Sequence, residues 1–480
     1  MSLTKVTSDM ATYTAPWSGG QQNTVLTKLE QVVCVLDFIP ESEHAAIRAH
    51  NTTNPYNCTT AFVNAFAACK RVYCPQGTYS ATIDMQSHCQ IYGDGPGNAL
   101  TPYAVTAIIP VAGAAYAIGI NAVTTAKQYC VLENLQISNP NSVSNCIGIY
   151  IQGTDVNSID DLHVFRNLEV NGFEYGQRIT GRMIGTTWEK VFTTQCGDGF
   201  KATVDAVNAA FIFNYFINCT WNLNRRSGHR VEGANVTNYY NTCNFQSNTL
   251  AAGMAASYFY NSQNLHLVNC YWENNGSGIS ISTTNPYANA IDLHLAGVSL
   301  CDDIIIQGCL INNAGTNVLI DSTVVRGGKL ELCNLNAPSG GFAFVLATQP
   351  TQGETQQQFC LSANNTIGAG QVLLKLAANT ESIGYIEQSK GNVFWSSSTP
   401  PNIDLLRVSN YTINNASPMT LTAPINSFPG CQLYIYAGST GTVTMPAANM
   451  VSNSNEVIAA GTGKLFRAMG YPWFGKFVIG

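Results

Sequence analysis

Hydrophobic positions in the middle of the chain recur in short alternating runs, separated by glycine, asparagine or threonine. Alternation of apolar and polar residues over a few positions predicts a strand with one buried face. The runs carry single cysteines spaced by 23, 24, 27, 39 and 24 residues, namely Cys196, Cys219, Cys243, Cys270, Cys309 and Cys333. A period in the twenties with variable insertions predicts a solenoid.

Two apolar columns flank these cysteines. Two residues after the cysteine stand Trp221, Phe245, Trp272, Ile311 and Leu335. Three residues before it stand Thr193, Phe216, Tyr240, Leu267, Ile306 and Leu330. The residue directly before the cysteine is often asparagine or glycine, which tolerate the left-handed backbone of a sharp bend. Cys270 and Trp272 are therefore predicted to be buried rungs of two ladders.

A third strand begins after a glycine in several repeats. These stretches are GIYIQG at 148–153, GQRITG at 176–181, GFKATV at 199–204, GHRVEG at 228–233, GISIST at 278–283 and GFAFVLA at 341–347. Three short strands per turn, stacked turn on turn, predict an all-β protein. The predicted fold is a right-handed parallel β-helix with about eleven turns between residues 129 and 395.

The two ends of the solenoid differ from its middle. Residues 57–71 place Ala61, Phe62, Ala65, Phe66 and Cys69 at helical spacing, which predicts an N-terminal capping helix. SSSTPP at 396–401 is typical of a linker, and the repeat is lost beyond it. We therefore divide the chain into a short attachment segment (1–34), the cap and first turns (35–128), the β-helix (129–399) and a small C-terminal β domain (400–480) for trimerisation or carbohydrate binding.

Composition excludes several classes of function. Only 10% of the 480 residues are charged and the net charge is −6, which argues against a general nucleic-acid binder. No apolar run reaches transmembrane length, so no membrane span is predicted. The 16 cysteines lack disulfide-dense or zinc-type spacing, so we interpret them as reduced, buried side chains of a protein that folds in a reducing cytoplasm. No metal or cofactor is predicted.

Five stretches near the N-terminus follow one another in a characteristic order. They are VLDFIP at 35–40, HAAIRAHNTTN at 44–54, TTAFVNAFAA at 59–68, VYCPQGTY at 72–79 and IYGDGPG at 91–97. This series resembles the start of the pectate-lyase-like β-helix of bacteriophage tailspikes, and the resemblance covers residues 35–400.

The resemblance implies a homotrimer on the virion tail that acts outside the cell. Such proteins bind, and usually cleave, capsular polysaccharide or lipopolysaccharide O-antigen of the host bacterium. In this chain the segment 1–34 would then attach the protein to a phage tail or baseplate protein.

Charged residues are rare enough that their clusters are informative. The densest is NRRSGHRVEG at 224–233, which includes Arg225. Registering the glycine-led strands predicts that Arg178, Lys201 and Arg230 stack on three successive turns. Like charges roughly 5 Å apart at an effective dielectric near 20 repel by about 3 kcal/mol before screening. Such a ladder is interpreted first as a solvated network in which the nearby carboxylates Glu232, Asp198 and Glu189 offset the repulsion, and second as a groove for an acidic glycan.

Hydrolysis of a glycan requires two carboxyl groups on opposite sides of the bond. Glu232 is the first candidate, because it is predicted to point outward beside basic residues. Its partner would be Asp198, Asp205, Glu189 or Glu273. Glu273 is a single charge in an outward column of Asn222, Gln246 and Asn312, and the alternative interpretation is an ordinary surface glutamate. The predicted catalytic residues are therefore Glu232, Glu273 and Asp198.

A lyase would instead remove a proton beside the carboxylate of a uronic acid, using a base and a stabilising cation. The candidates are Arg178, Lys201, Arg230, His229 and Tyr239, although His229 is predicted to face inward as a core histidine. Exposed tyrosines suit stacking on sugars: Tyr150, Tyr215, Tyr239 and Tyr271. The predicted substrate-binding set is Arg178, Lys201, Arg230, Arg225, Tyr239 and Tyr271. We rank hydrolase first, lyase second and a non-catalytic adhesin third.

Overall fold

Short parallel strands stacked turn on turn make up most of the protein in a computed structural model. The described residues are 12–14, 22–24, 32–97, 105–122, 126–140, 144–153, 160–203, 211–233, 235–248, 256–259, 262–275, 291–294, 300–312, 318–321, 324–336, 342–346, 360–361, 366–367, 372–376, 385–386, 393–395, 400, 410–413, 417–422, 432–438, 441–450, 452–468 and 477–479. The predicted parallel β-helix is confirmed, because consecutive turns pair in parallel register throughout this region.

One side of the helix is an eleven-stranded parallel sheet, here called face A. Its strands are Ile83–Asp84, Tyr116–Ala122, Ile147–Gly153, Tyr175–Thr180, Asp198–Thr203, Ser227–Glu232, Ser257–Phe259, Ile291–His294, Val318–Asp321, Phe342–Leu346 and Val372–Leu376. Nine of these described strands lie within residues 129–395, where about eleven turns were predicted, and Ile83–Asp84 and Tyr116–Ala122 precede that range. The predicted strand 278–283 lies outside the described residues.

The other two sides are formed by strands that bend between them. These strands are Val33–Cys34, Arg71–Cys74, Gly77–Ser80, Gln90–Gly93, Thr106–Ile109, Val131–Ser138, Asp160–Asp161, Val164–Asn171, Met183–Ile184, Thr187–Thr194, Phe211–Ile212, Tyr215–Ile217, Thr220–Asn222, Asn235–Asn241, Asn244–Gln246, Ser262–Val268, Tyr271–Glu273, Leu300–Gln307, Leu310–Asn312, Val324–Glu331, Asn334–Asn336, Cys360–Leu361, Thr366–Ile367 and Tyr385–Ile386. Face B contains Tyr215–Ile217 and the segments that pair with it, and face C contains Thr220–Asn222 and its partners.

The bend between faces B and C occurs where the sequence predicts it. Asn218, Thr242 and Asn269 have φ values of 54°, 55° and 53°, and Gly308 has 64°. The next residue in each turn is a buried cysteine. Each of these thiols donates to a carbonyl of the preceding turn, for example Cys270 Sγ to Tyr240 O at 3.4 Å. The cysteines are therefore a stacked internal ladder, and each cysteine whose side chain the structure describes is a free thiol, as predicted.

The prediction that Cys196 is the first member of the cysteine series is wrong. Glu189 pairs with Ile217 and Phe192 pairs with Thr220, which places Val191 opposite Cys219. Cys196 belongs to another corner, because its N–H donates to Asn224 Oδ1 at 3.1 Å. In the apolar column, Trp188 pairs with Phe216, so Trp188 takes the place that was assigned to Thr193.

A second internal ladder is built from buried asparagines. The Asn224 N–H and Nδ2 both donate to Asn248 Oδ1, and the Asn248 N–H and Nδ2 both donate to Asn275 Oδ1, at 2.9–3.1 Å. Asn248 Nδ2 also donates to Trp221 O at 3.1 Å. This ladder satisfies polar groups inside the helix that would otherwise be costly to bury.

Two helices lie at the N-terminal end, Glu41–Arg48 and Thr59–Ala68. The second is the predicted cap: it buries Ala61, Phe62, Ala65 and Phe66, and Asn57 Oδ1 accepts from the Thr59 N–H at 3.0 Å. The first helix was not predicted. The strand pair Thr12–Thr14 and Gln22–Thr24 lies within the predicted attachment segment. No helix of the described residues is long and apolar enough to cross a membrane.

The C-terminal part has its own core and two small sheets. The five-stranded sheet contains Val393–Trp395, Asn410–Ile413, Gln432–Ala437, Gly463–Ala468 and Phe477–Ile479, and the three-stranded sheet contains Met419–Thr420, Val443–Met445 and Glu456–Ile458. The strand Val393–Trp395 pairs with Tyr411–Ile413, so this β structure begins before the expected boundary at residue 400. Short 3₁₀ helices occupy Val35–Phe38 and Ala447–Asn449.

Candidate functional site

The predicted stacking of basic residues on face A is present. Arg178 pairs with Lys201, and Lys201 pairs with Arg230, on three successive turns. We call these three residues the basic ladder. Their side chains are partly exposed, since the strands alternate between the aromatic core and the outer surface. The ladder therefore concentrates positive charge on one side of a chain whose net charge is −6.

Glu232 lies against the C-terminal half of this ladder. It forms ion pairs with Arg230 and, at 3.5 Å, with Lys201, and it accepts from Thr203 Oγ1 at 3.3 Å. The carboxylate therefore offsets part of the repulsion between two stacked cations. Glu232 thus offsets two of the three cations of the basic ladder, as expected for a charge network. The third, Arg178, has no ion pair among the described residues.

Tyr175, which is not among the predicted site residues, contacts several of the cations on this face. The Tyr175 ring lies 4.8 Å from the Arg178 guanidinium carbon, 5.1 Å from that of Arg226 and 6.0 Å from Lys201 Nζ. A cation near an aromatic ring within about 6 Å is attracted by the ring. Tyr175 thus stabilises three positive charges at the surface, which is a second contribution against the repulsion of the ladder.

Asp198 is a buried carboxylate beneath this cluster. Its side chain is 5% exposed and pairs with Arg226 at 2.9 Å, and Arg226 also pairs with Glu174. Burial raises the pKa of the Asp198 carboxyl, while Arg226 opposes the shift. Arg225 lies 3.7 Å from Glu174 at the exposed edge. Asp198 therefore pairs with Arg226, whereas Glu232 pairs with Arg230. The two carboxylates belong to separate ion-pair groups.

Tyrosines occupy the positions next to both ends of the basic ladder. Tyr150 pairs with Arg178 in the preceding turn, and Tyr258 pairs with Arg230 in the following turn. The Arg230 guanidinium carbon lies 4.9 Å from the centre of the Tyr258 ring. The outward column therefore consists of three cations between two tyrosines, of which Tyr258 is buried beside Arg230 and Tyr150 is partly exposed.

Glu273 and Tyr271 lie on face C and are separate from the basic ladder. The predicted column is confirmed, because Asn222 pairs with Gln246, Gln246 with Glu273, and Glu273 with Asn312. Gln246 Nε2 donates to Glu273 Oε2 at 2.9 Å. Burial and the hydrogen bond to Glu273 raise the pKa of Tyr271 to about 12. Because Glu273 and Glu232 belong to different sheets, they do not flank one bond within a single chain.

Tyr239 lies on face B, in a stack of rings. Its ring centre is 5.3 Å from that of Tyr215, with an interplanar angle of 6°, and 4.5 Å from that of His266. Both faces of the Tyr239 ring are therefore covered by neighbours in its own chain. Sugars stack on an open ring face, so Tyr239 does not provide the sugar-stacking surface that was predicted for it.

The strand register also locates two remaining candidate site residues, His229 and Glu189. His229 is fully buried, as predicted, and it contacts the Tyr240 hydroxyl at 2.8 Å and stacks on Phe200 at 4.3 Å. Burial lowers the pKa of His229 well below its ordinary value, so the ring is a neutral part of the core. Glu189 pairs with Arg166 at 2.8 Å on face B, and Asp205 lies outside the described residues.

No group of three or more histidine, cysteine or acidic side chains within the described ranges is arranged to hold a metal ion. The charged and aromatic side chains described at this part of face A are carboxylates, cations and tyrosines. These groups support binding of a polyanion and acid–base catalysis.

Several solved structures are similar to this chain at low sequence identity. No protein-family profile and no curated protein sequence matches the chain. Among solved structures, the Dettilon tailspike protein is 12% identical with a TM-score of 0.47, and the match covers 93% of this chain and 78% of that one. Tailspike protein 3 of bacteriophage CBA120 is 12% identical with a TM-score of 0.46, covering 91% of this chain and 65% of that one.

A third similar structure is the GH87 α-1,3-glucanase of Streptomyces thermodiastaticus, at 14% identity and a TM-score of 0.45. This match covers 75% of this chain and 70% of the glucanase. Identities at this level describe architecture alone and identify no reaction. The parallel β-helix of this chain is established by its own strand pairing.

Proposed function

We propose that this protein is a phage tailspike that binds and cleaves an acidic surface polysaccharide of the host bacterium on face A. The observation that carries the proposal is the basic ladder, Arg178, Lys201 and Arg230, on three consecutive turns. The sequence resemblance to tailspikes supplies the biological setting: a virion tail protein, attached through residues 1–34 to a tail or baseplate protein. The substrate is then a capsular polysaccharide or a lipopolysaccharide O-antigen.

The geometry of the ladder suits an extended polyanion. Neighbouring turns are roughly 4.8 Å apart, so the three cations extend along the axis of the helix. Glu232 offsets only two of them, and Arg178 contacts the Tyr175 ring instead of a carboxylate. A sugar carboxylate bound here would relieve the remaining repulsion, because it adds an opposite charge to a set of like charges.

Hydrolysis is the first proposed reaction. Glu232 suits the ionised role, because Lys201 and Arg230 stabilise its carboxylate. Asp198 suits the protonated role through its raised pKa, but Arg226 covers it. Asp198 pairs with Ser227, and Glu232 pairs with Thr203, so the two residues lie five positions, roughly 17 Å, apart along the strands. A carboxyl pair at one glycosidic bond is only about 5–10 Å apart, so the partner of Glu232 at the bond would come from a neighbouring chain.

Elimination is a second candidate, favoured by the excess of cations over accessible carboxylates on this face. A lyase requires a base near the acidic proton and a positive charge that stabilises the developing enolate. Lys201 lies between Glu232 and the Tyr175 ring, with Arg178 and Arg230 on the adjacent turns. In this mechanism Lys201 would first lose its own proton to solvent, and its neutral amine would then accept the substrate proton while the bond to the leaving oxygen breaks. The two arginines would bind the uronic acid carboxylate.

The proposal is tested with purified capsule from a bacterium that the parent phage infects. We expect the wild type to shorten it, and Lys201→Met to bind it at least about tenfold more weakly, because about 1.4 kcal/mol of charge attraction is lost. Lys329→Met is the matched control, since Lys329 forms the same kind of pair with Glu331. Binding is measured by affinity electrophoresis, and cleavage by chain length.

The reaction products distinguish hydrolysis from elimination. Hydrolysis gives new reducing ends without a new double bond, whereas elimination adds the ultraviolet absorbance of an unsaturated uronate. Binding without shortening would leave an adhesin and would remove the catalytic roles of Glu232 and Asp198. Equal binding by wild type and Lys201→Met would contradict the basic ladder as the polysaccharide site.

The homotrimer is also a proposal, and an exposed corner between faces A and B supports it. His88, Tyr129, Leu162, Gly185 and Phe213 follow one another on successive turns of this corner. The side chains of Tyr129, Leu162 and Phe213 are 44–48% exposed, and all three have φ between 55° and 58°. A left-handed backbone costs a non-glycine residue roughly 1–2 kcal/mol, so bulky exposed residues at these positions favour a buried role in an assembly.

Phe213→Asp is therefore expected to weaken association between chains without unfolding the β-helix. Light scattering should show a shift from three chains to one, while circular dichroism keeps its β signal. Leu223→Asp is the control, because Leu223 is 46% exposed with φ 54° but stands among polar residues at another corner. An unchanged mass for Phe213→Asp would contradict the assignment of this corner as the interface.

A further inference from the structure

The basic ladder continues on face A into a stretch with different chemistry. Towards the N-terminus, Arg178 pairs with Tyr150, Tyr150 with Gly119, and Gly119 with Asp84. The same outward column therefore carries three cations, then a tyrosine and a glycine, then a carboxylate. An acidic polymer that lies along this column meets attraction in one half and repulsion in the other.

Asp84 is the centre of a small polar cluster with Tyr116 and Asn121. Tyr116 Oη donates to Asp84 Oδ1 at 2.7 Å, and Asn121 Nδ2 donates to the same oxygen at 2.8 Å. Asp84 is exposed, and Oδ2 has no hydrogen-bond partner among the described residues. We call these three residues the Asp84 cluster. Its carboxylate is held in place and presents a free oxygen to solvent.

Gly119 creates the space for this cluster. A Cβ at position 119 would lie 2.6 Å from Tyr116 Cε2 and 3.0 Å from Asp84 Oδ1. The ring of Tyr116 therefore lies across the sheet over a residue without a side chain, and its centre is 5.9 Å from that of Tyr150. Two tyrosine rings and one oriented carboxylate occupy the surface directly beside the basic ladder.

The Asp84 cluster and the neighbouring Tyr150 suit the hydroxyl groups and the apolar ring face of an uncharged sugar rather than a second acidic sugar. A carboxylate oxygen accepts strongly from a sugar hydroxyl, and a tyrosine ring packs against the apolar face of an uncharged sugar. The second outward column agrees with this: Asn121 pairs with Gln152, and Gln152 with Thr180, so its polar groups in this half are uncharged. Burial and the bond to Asp84 raise the pKa of Tyr116 to about 12, which keeps its hydroxyl a donor.

We propose that face A selects a polysaccharide whose repeat alternates acidic and neutral sugars, with the acidic sugar on the basic ladder and the neutral sugar on the Asp84 cluster. This inference rests on the proposed function, because it assigns the second half of the same site. A uniformly acidic chain would place a carboxylate beside Asp84. Two like charges about 5–6 Å apart at the protein surface repel enough to weaken binding roughly tenfold.

The test uses purified capsular polysaccharides of known repeat, grouped as uniformly acidic, alternating and neutral. The measured quantity is the ratio of affinities for alternating and uniformly acidic polymers, by affinity electrophoresis at one salt concentration. We expect the wild type to favour the alternating group at least about tenfold, and Asp84→Asn to reduce that ratio by about tenfold. Asparagine keeps the Oδ1 acceptor for Tyr116 and Asn121, so the cluster is retained.

Two further variants separate the possible failures. Glu41→Gln removes an exposed carboxylate at the start of the first helix and should leave the ratio unchanged. Lys201→Met should weaken binding to both acidic groups. If Lys201→Met weakens binding but Asp84→Asn leaves the ratio unchanged, the assignment of the Asp84 cluster is overturned and the proposed function remains. If no acidic polysaccharide binds the wild type, the proposed function fails and this inference fails with it.

Discussion

Glu232→Gln is expected to slow the shortening of the polysaccharide by about 10²–10⁴-fold, the usual contribution of a catalytic acid or base. The substitution keeps the shape of the side chain and removes the charge that lies between Lys201 and Arg230. Because those two cations then lack their carboxylate partner, binding of an acidic polymer should be retained or strengthened. Initial rates of reducing-end formation at saturating polysaccharide measure the effect.

Glu331→Gln is the matched control for this prediction, since Glu331 pairs with Lys329 much as Glu232 pairs with Lys201. Its rate should stay within a factor of two of the wild type. A loss of less than tenfold in Glu232→Gln would contradict hydrolysis through Glu232. If the ultraviolet signal of an unsaturated product also persisted, elimination through Lys201 would become the better account.

Asn248→Ala is expected to destabilise the β-helix by about 3–5 kcal/mol, among the larger effects of a single substitution. The side chain of Asn248 accepts two hydrogen bonds from Asn224 and donates to Trp221 O and Asn275 Oδ1. Removing it leaves these buried groups without partners in two neighbouring turns. Since a solenoid turn is stabilised by its neighbours, the loss should spread beyond one rung.

Urea unfolding followed by circular dichroism, and unfolding rates where the transition is irreversible, measure this loss. Asn336→Ala is the control: Asn336 is exposed on face C, and among the described residues its side chain makes one long hydrogen bond, of 3.5 Å, to Asn312. Its stability should change by no more than about 0.5 kcal/mol. Equal stability of the two variants would show that the internal ladder contributes little.

The register of face A was predictable because the rule that governs it is local. Side chains alternate along a strand, and a glycine marks where each of these strands starts. The prediction that Arg178, Lys201 and Arg230 stack therefore needed only the strand starts, and it is confirmed. The cysteine ladder from Cys219 onward was predictable for a similar reason, since Asn218, Asn269 and Gly308 at its bends tolerate a positive φ. Thr242 and Leu332 also adopt a positive φ at this bend, although their side chains do not favour it.

Register within a strand does not tell which side of the helix a residue lies on. Glu273, Tyr239 and Glu232 are all outward by alternation, yet they occupy faces C, B and A. The assignment depends on which bend each segment follows, and similar polar residues appear at all three bends. Cys196 illustrates the difficulty: its local sequence resembles the cysteine repeats, but it lies at the corner that Asn224 occupies one turn later.

The sequence by itself determined the repeating architecture, the capping helix and the basic ladder, because each depends on spacing between residues that are near in the chain. Only the tertiary structure decided that Tyr175 and Arg226 join the ladder, that Asp198 is buried beneath it and that Asp84 continues its column. These contacts link residues from different turns. Their distances depend on how the turns stack, which the composition of any one turn does not specify.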